Sequence, residues 1–435
     1  MAASYREHLP KARATFDLFV RRTPPQRPYL VCAGLEQALS YLTHFSFSPE
    51  DIRYLRSTGL FTSAFLSYLQ TVGFKGDVDA MPEGTVFFPS EPVLRVTANI
   101  IEAQLVETLV INTFNLQSVI ATKASRVVEA AKGRPVVEFG LRRAQGRDAG
   151  LQGARSAYLS GCVGTSNVLA GQRYGIPVYG TMAHSFVQAF ESETKAFRAF
   201  VATFPKGTTL LIDTYDTLEG ARRAVRVARE LARQGGRLGG VRLDSGDLAV
   251  LSRGVRRILD ANRLRDVKIF ASGNLTEARI SELVRAGAPI DAFGVGTEMS
   301  VSSDAPALDF VYKMSEVVRG GERYPTGKLS AHKQTYPGLK QVYRVKRGGL
   351  AVRDVLGLDD EAVSGRPLLI PVLRQGRLAG PCPSLAQIRR HAARERARLP
   401  SRVRSLGEGT VYPVKLSPGL REAVRVFQRS QRLRS

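Results

Sequence analysis

Between residues 134 and 297 the apolar positions fall into seven short runs, each closed by a polar tag. They read VVEFGLRR (136–143), YLSGCVGTSN (158–167), IPVYGTMAHS (176–185), LLIDTYDT (210–217), GVRLDSGDL (240–248), KIFASGNL (268–275) and IDAFGVGTEM (290–299). A strand-sized apolar stretch that ends at once in Gly, Ser, Thr, Asp or Arg is the pattern of a parallel β/α barrel. Its strand bodies pack the core, and the loops after them bind and react. Segments with helical spacing separate the later tags: ARRAVRVARELARQGG (221–236), stopped by glycines, AVLSRGVRRILDANR (249–263) and TEARISELVRAG (276–287). This alternation predicts a barrel or a doubly wound sheet. Seven tags in order point to an enzyme built round an anionic ligand.

The flanks have another texture. FDLFVRR (16–22) and PYLVCAGLEQALSYL (28–42) predict a strand and then an amphipathic helix, and FTSAFLSYLQTVGF (61–74) a helix. GTVFFPSEPVLRVTANI (84–100) reads as paired strands with a turn, and residues 101–131 as helix. After residue 340, the stretches 340–358, 366–380 and 410–420 look like short strands that return to the first domain. The expectation is an α/β protein with three regions: an N-terminal α+β domain over 1–130, an irregular parallel β/α barrel over 131–339, and a β-rich return with a basic helical tail over 340–435.

Composition narrows the class. A chain of 435 residues with 43% hydrophobic and 23% charged residues is ordinary for a globular protein. No apolar run is long enough to span a membrane, and the N-terminus lacks the pattern of a secretory signal. Three scattered cysteines (Cys32, Cys162, Cys382) fit a reducing cytoplasm, and five histidines (8, 44, 184, 332, 391) show no metal-ligand spacing. The net charge of +24 leaves three readings: nucleic-acid binding, attraction of polyphosphate substrates, or a surface that simply favours arginine. The most basic run, 388–404, has no interleaved aromatics, which makes nucleic acid the weakest of the three.

The tags hold the candidate chemistry. Ser272, Gly273 and Asn274, with Gly294, Gly296 and Thr297, form two adjacent small-residue loops at the last two strands, the usual phosphate corner of a barrel. Strand alternation puts Arg242 and Asp244 on one face, either as a substrate clamp with a ribose- or Mg²⁺-binding carboxylate, or as a structural ion pair. Asp213 and Asp216 at another strand end have the same two readings. Phe139 with Arg142 and Arg143 can stack a flat ring and hold an anion, or be a wet arginine pair. His184, beside Ser185, is the one histidine in the tags, an acid, base or nucleophile towards phosphorus, or else structural. Walker and nucleophile-elbow motifs are missing, so any ATP is held by other means.

Taken together, EFGLRRAQG, GTSNVLAG (164–171), GTMAHSF, DTYDT, VRLDSGDL and the KLS…KQTYPG stretch (328–338) resemble the nicotinate phosphoribosyltransferase family over nearly the whole chain. The resemblance implies a type II phosphoribosyltransferase barrel with an N-terminal domain, working as a homodimer with shared active sites. It implies joining of nicotinate to 5-phosphoribosyl diphosphate (PRPP), coupled to ATP hydrolysis, with Mg²⁺. By that resemblance His184 matches the histidine that ATP phosphorylates, Thr181 and Arg242 match nicotinate contacts, Thr297 matches a phosphoribosyl contact, and Phe139 matches one wall of the ring slot. Asp213 and Asp244 match the ribose and Mg²⁺ side. Ser166 stands where the nicotinamide-specific relative carries an acid, which favours nicotinate. The family's Asp-x-Tyr segment, whose tyrosine forms the opposite wall across the dimer, does not precede Met1 in the sequence given. The expectation is therefore an upstream start that encodes it, or a ring held differently. Two rivals remain: an ATP-independent quinolinate phosphoribosyltransferase, and a basic nucleic-acid-binding protein that has lost catalysis.

Overall fold

The computed structural model describes residues 1–328, 334–407 and 411–432, and its contacts divide into two compact units, 120–306 and 1–119 with 307–435. The boundary at 119/120 falls inside the helix Glu107–Ala130.

The unit of residues 120–306 is built on a curled, wholly parallel six-stranded sheet of half-barrel form. Its spatial order is Gly164–Thr165, Val136–Glu138, Ala292–Val295, Lys268–Ala271, Arg237–Leu243, Lys206–Leu211. The strands are short and most of their residues are buried, as in a sheet covered on both faces. Two of the long helices between them start on aspartate caps. Asp216 accepts from the Glu219 N–H at 2.8 Å to begin Thr217–Arg233, and Asp247 accepts from the N–H groups of Ala249 and Val250 to begin Leu248–Ala261. Asp216, a site candidate by sequence, is thus a helix cap. The helix Thr217–Arg233 turns Ala221, Ala224, Val225, Ala228 and Leu231 inward, leaving most of its arginines wet.

Two expectations for this unit need correction. IPV (176–178) is not a strand: it contributes one parallel bridge, Val178 to Thr165. Pro177 in its middle has no N–H to donate, so the ladder stops. The tag at 158–167 begins as the end of the helix Arg147–Leu159, and only Gly164–Thr165 pairs as strand.

The other unit carries a seven-stranded sheet in the order Glu322–Pro325, Phe310–Arg319, Arg13–Val20, Pro92–Asn99, Asp77–Ala80, Ile370–Arg374, Arg377–Leu378, each neighbour antiparallel. The barrel segment expected to reach residue 339 therefore ends earlier. Phe310–Arg319 is the longest strand of the chain, and it pairs along the full length of Arg13–Val20. The strands expected to pair within 84–100 do not pair with each other. Val86–Phe87 joins Leu30–Val31, while Pro92–Asn99 lies between Arg13–Val20 and Asp77–Ala80.

A buried arginine ties the later segments of this unit together. The Arg344 guanidinium binds both carboxylate oxygens of Asp354, Glu395 Oε2 at 2.9 Å and the Val86 carbonyl at 2.8 Å, and Tyr412 adds a hydroxyl to Asp354 at 3.0 Å. Removing one partner of such a set leaves an uncompensated buried charge, a loss of about 3–5 kcal/mol. The basic run 388–404 breaks into Leu385–Ala397 and Ser401–Arg404 around Pro400.

Candidate active site

At the C-terminal ends of the parallel strands lies a cleft of about 440 Å³. All ten residues expected to bind substrate line it, and so does Asp244. The turn after Val136–Glu138 delivers Phe139 and Arg142, and the segment after the Val178 bridge delivers Thr181. Arg237–Leu243 delivers Arg242 and Asp244, and the two adjacent loops deliver Ser272–Asn274 and Gly294–Thr297.

Arg242 is the centre of the cleft. Its Nε donates to Ser272 Oγ at 2.8 Å, Nη1 to Thr181 Oγ1 at 2.8 Å, and Nη2 to Asp244 Oδ1 at 2.5 Å. The guanidinium is thereby fixed in plane, 5.7 Å from the centroid of the Phe139 ring. A guanidinium has five N–H donors, so two remain for an anionic ligand. Of the two sequence readings, the ion pair with Asp244 is present, and it fixes the orientation of the guanidinium.

Asp244 is itself held from three sides. Burial alone would raise its pKa, but the Ser272 hydroxyl at 2.5 Å, the Arg242 charge and hydrogen bond, and His184 outweigh it, and the carboxyl sits below the usual range. Asp213 lies outside the cleft lining and buttresses this carboxylate. Its Oδ2 accepts from the Asp244 N–H at 2.8 Å and the Ser245 hydroxyl at 2.7 Å. His184 opens the short helix His184–Gln188 and is half-exposed. One ring nitrogen, Nδ1, is 3.2 Å from Thr214 Oγ1, and the other, Nε2, is 4.0 Å from Asp244 Oδ2.

Backbone shape makes the two loops expected to hold phosphate. Gly273 has φ +90, and a Cβ there would lie 1.8 Å from the Asp244 carbonyl oxygen, so no other residue fits. Asn274 follows in the left-handed region, φ 46. At Gly294 a Cβ would meet the rings of Phe270 and Phe139 at 2.8 and 2.9 Å, so glycine lets these rings approach to 5.6 Å between centroids.

Arg143, grouped with Arg142 in the sequence reading, is placed here as well, and sequence reasoning passed over Glu138 and Thr214. Arg143 lines the cleft and donates to Thr297 Oγ1 at 3.0 Å, joining the ring-side turn to the phosphate corner. Glu138 is buried just behind. Its carboxylate accepts from the Gly140 N–H and from the Thr165 hydroxyl at 2.5 Å, and burial pushes its pKa up against these two bonds. An acid inside the otherwise apolar run VVE was the signal for it. Thr214, in the LIDTYDT tag, offered none.

Three family models match in chain order: the nicotinate phosphoribosyltransferase N-terminal domain over residues 1–115, the family core over 135–356 and the C-terminal domain over 362–424. The chain belongs to the nicotinate phosphoribosyltransferase family. A nicotinate phosphoribosyltransferase of Mycobacterium tuberculosis is 48% identical over 96% of this chain and 89% of its own length. One from Bacillus subtilis is 42% identical over 85% and 76%. The crystal structure of human nicotinic acid phosphoribosyltransferase superposes with a TM-score of 0.88 at 30% identity, covering 98% of both chains. For this nicotinate phosphoribosyltransferase family member, Ser166 is also part of the cleft lining. Residues 329–333 of the resembling stretch 328–338, His332 among them, lie outside the described residues. Among the described residues no helix is long and apolar enough to cross a membrane.

Proposed function

We propose that the chain joins nicotinate to PRPP, giving nicotinate mononucleotide and pyrophosphate, with ATP hydrolysis coupled through phosphorylation of His184, in the cytoplasm. The observation that carries this reading is the triply held Arg242 beside the Phe139 ring, with two donors still open in a cleft that ends in two glycine loops. A flat ring can stack on Phe139 with its carboxylate against Arg242, and Ser166 puts no negative charge against it. The loops 272–274 and 294–297 suit the phosphate and diphosphate groups of PRPP, and Arg142 and Arg143 add positive charge.

The ring nitrogen of nicotinate forms a bond to C1 of the ribosyl group while the bond from C1 to the diphosphate oxygen breaks. Arginines and backbone N–H groups take the charge that develops on the leaving pyrophosphate. Asp244, ionised and fixed, faces the cationic character at C1. His184 is reachable from solvent: its ring nitrogen takes the γ-phosphoryl group as ADP departs, and water later releases phosphate from it. Mg²⁺ fits the acids here. Asp213 keeps a buried oxygen, Oδ1, without a hydrogen-bond partner, and Asp244 Oδ2 takes no bond from Arg242 or Ser272. Held by these two carboxylates, the ion would neutralise substrate phosphate charge. A second copy of the chain is the proposed source of the opposite wall of the ring slot, in a homodimer with shared sites.

The test is product formation from nicotinate, nicotinamide and quinolinate, each with PRPP and with or without ATP. Nicotinate alone should react, faster with ATP. His184→Ala should lose the ATP stimulation and the labelled phosphoenzyme while keeping some PRPP-dependent product. Full ATP coupling in that variant would remove the phosphohistidine, and ATP-independent use of quinolinate would replace the reading with its rival.

A further inference from the structure

The helix Glu107–Ala130 carries a buried lysine, Lys123, that is not part of the cleft lining. Lys123 has a side chain only 2% exposed, and its ammonium lies 2.7 Å from Glu277 Oε2 and 2.7 Å from Asp304 Oδ1. Arg126, one turn further along, is equally buried and puts Nε 3.4 Å from Glu277 Oε1. The chain positions of the two acids give this cluster its meaning. Glu277 is the first residue of the helix Glu277–Arg285, two residues after the loop Ser272–Leu275. Asp304 comes four residues after the short helix Thr297–Ser300 that follows Gly294 and Gly296. One buried ammonium thus meets acids that follow both glycine loops, Glu277 directly after the first and Asp304 beyond the short helix after the second.

We propose that Lys123 is a positioning residue for PRPP: it sets the spacing of the two phosphate-binding loops by holding Glu277 and Asp304 on a single cation. The physical argument is geometric. The loops take their shape from Gly273 and Asn274 at positive φ and from Gly294 and Gly296, residues with little or no side chain to fix them by packing. The pairing of Lys268–Ala271 with Ala292–Val295 spaces their starts, which leaves the spacing of their downstream ends to be set. Removal of the ammonium takes from Glu277 and Asp304 the cation they share, leaving Glu277 with Arg126 and loosening the tie between the two loop ends. The ring side of the slot meets the first loop at one point, Arg242 Nε on Ser272 Oγ, at the start of that loop and away from Glu277. The inference rests on the PRPP reading of the phosphate corner and names the part that tunes it.

The experiment compares Lys123→Met, Lys123→Arg and Asp304→Asn with the unaltered protein. Lys123→Met should raise KM for PRPP roughly 10- to 100-fold, the size expected when a binding group is misplaced by about 1 Å, with KM for nicotinate little changed. Lys123→Arg, which restores the cation, should recover most of the loss. If Lys123→Met does not fold, Asp304→Asn frees one loop only and should still raise KM for PRPP selectively. Calorimetry with pyrophosphate gives a readout apart from turnover: affinity should fall in Lys123→Met and return in Lys123→Arg. Equal changes in both KM values, or a lowered melting temperature with unchanged KM and pyrophosphate affinity, overturn the positioning role. An unaltered protein that makes no nicotinate mononucleotide overturns the parent reading instead, and the pyrophosphate titration still decides the clamp.

Discussion

Glu138 shows how much chemistry one residue outside the substrate cleft can govern. Its two oxygens hold the Gly140 N–H, at the ring-side turn, and the Thr165 hydroxyl, one residue before Ser166. A glutamine can accept at only one of these, so Glu138→Gln leaves a buried group unsatisfied, a loss of about 1–3 kcal/mol. Both KM for nicotinate and thermal stability should suffer. The substitution also carries a pH signature. Burial raises the folded-state pKa of Glu138, so from about pH 4.3, the usual value of an unfolded glutamate, up to that raised value the folded protein binds more protons than the unfolded chain. Stability contributed by this group is therefore greatest at low pH and falls as pH rises through the window. The melting temperature of the unaltered protein should decline across it relative to Glu138→Gln, which has no proton to lose. Parallel curves would show that Glu138 does not titrate there. At this scale Arg242 and Asp244 were legible from strand alternation alone, because two residues on one face of a strand must meet. The partners Thr181, Ser272 and His184 were not, since they converge from other strand ends, a matter of sheet order that no local pattern encodes.

At the level of elements, the loop Ser272–Leu275 is held by a backbone contact. Gly273 stacks on the Asp244 carbonyl so closely that a methyl group cannot be admitted without moving one loop or the other. Gly273→Ala therefore strains φ, by about 1–2 kcal/mol, and pushes the phosphate corner away from the strand end that carries Asp244. Binding of PRPP and pyrophosphate should weaken at least tenfold, and the melting temperature should drop by several degrees. A soluble variant with unchanged pyrophosphate affinity would dissociate that loop from phosphate binding. The strands and helices around it were readable from periodicity and tags because each buries its own apolar face. The failures have physical causes. Pro177 interrupts a run that is apolar enough for a strand, and Val86–Phe87 finds its partner in Leu30–Val31, some 55 residues earlier, where hydrophobicity gives no hint of pairing.

Over the whole molecule two features are set by sums of many residues. One is chain routing: Phe310–Arg319 leaves the parallel sheet's sequence and pairs with Arg13–Val20, and an apolar strand pattern reads the same in either sheet. The other is charge. A net +24 either spreads as an even arginine coat or concentrates where it can draw in polyphosphates, and the cleft lining sets Arg142, Arg143 and Arg242 against Asp244 and Glu298. The two cases differ in their response to salt. An even coat attracts all anions weakly, whereas a focused cleft speeds the more highly charged substrate most, by roughly 10- to 1000-fold at low ionic strength. Raising salt from about 0.01 M to 0.1 M shortens the screening length from about 30 Å to 10 Å. Over that range kcat/KM for PRPP, a carrier of several negative charges, should fall more steeply than kcat/KM for nicotinate, which has one. Because ions also compete inside the site, the pair of slopes carries the argument, and substituting Arg142 and Arg143 by Gln should bring them closer together. Equal slopes for both substrates, unmoved by that double substitution, would mean that the positive charge is surface coat and that PRPP reaches the cleft without steering.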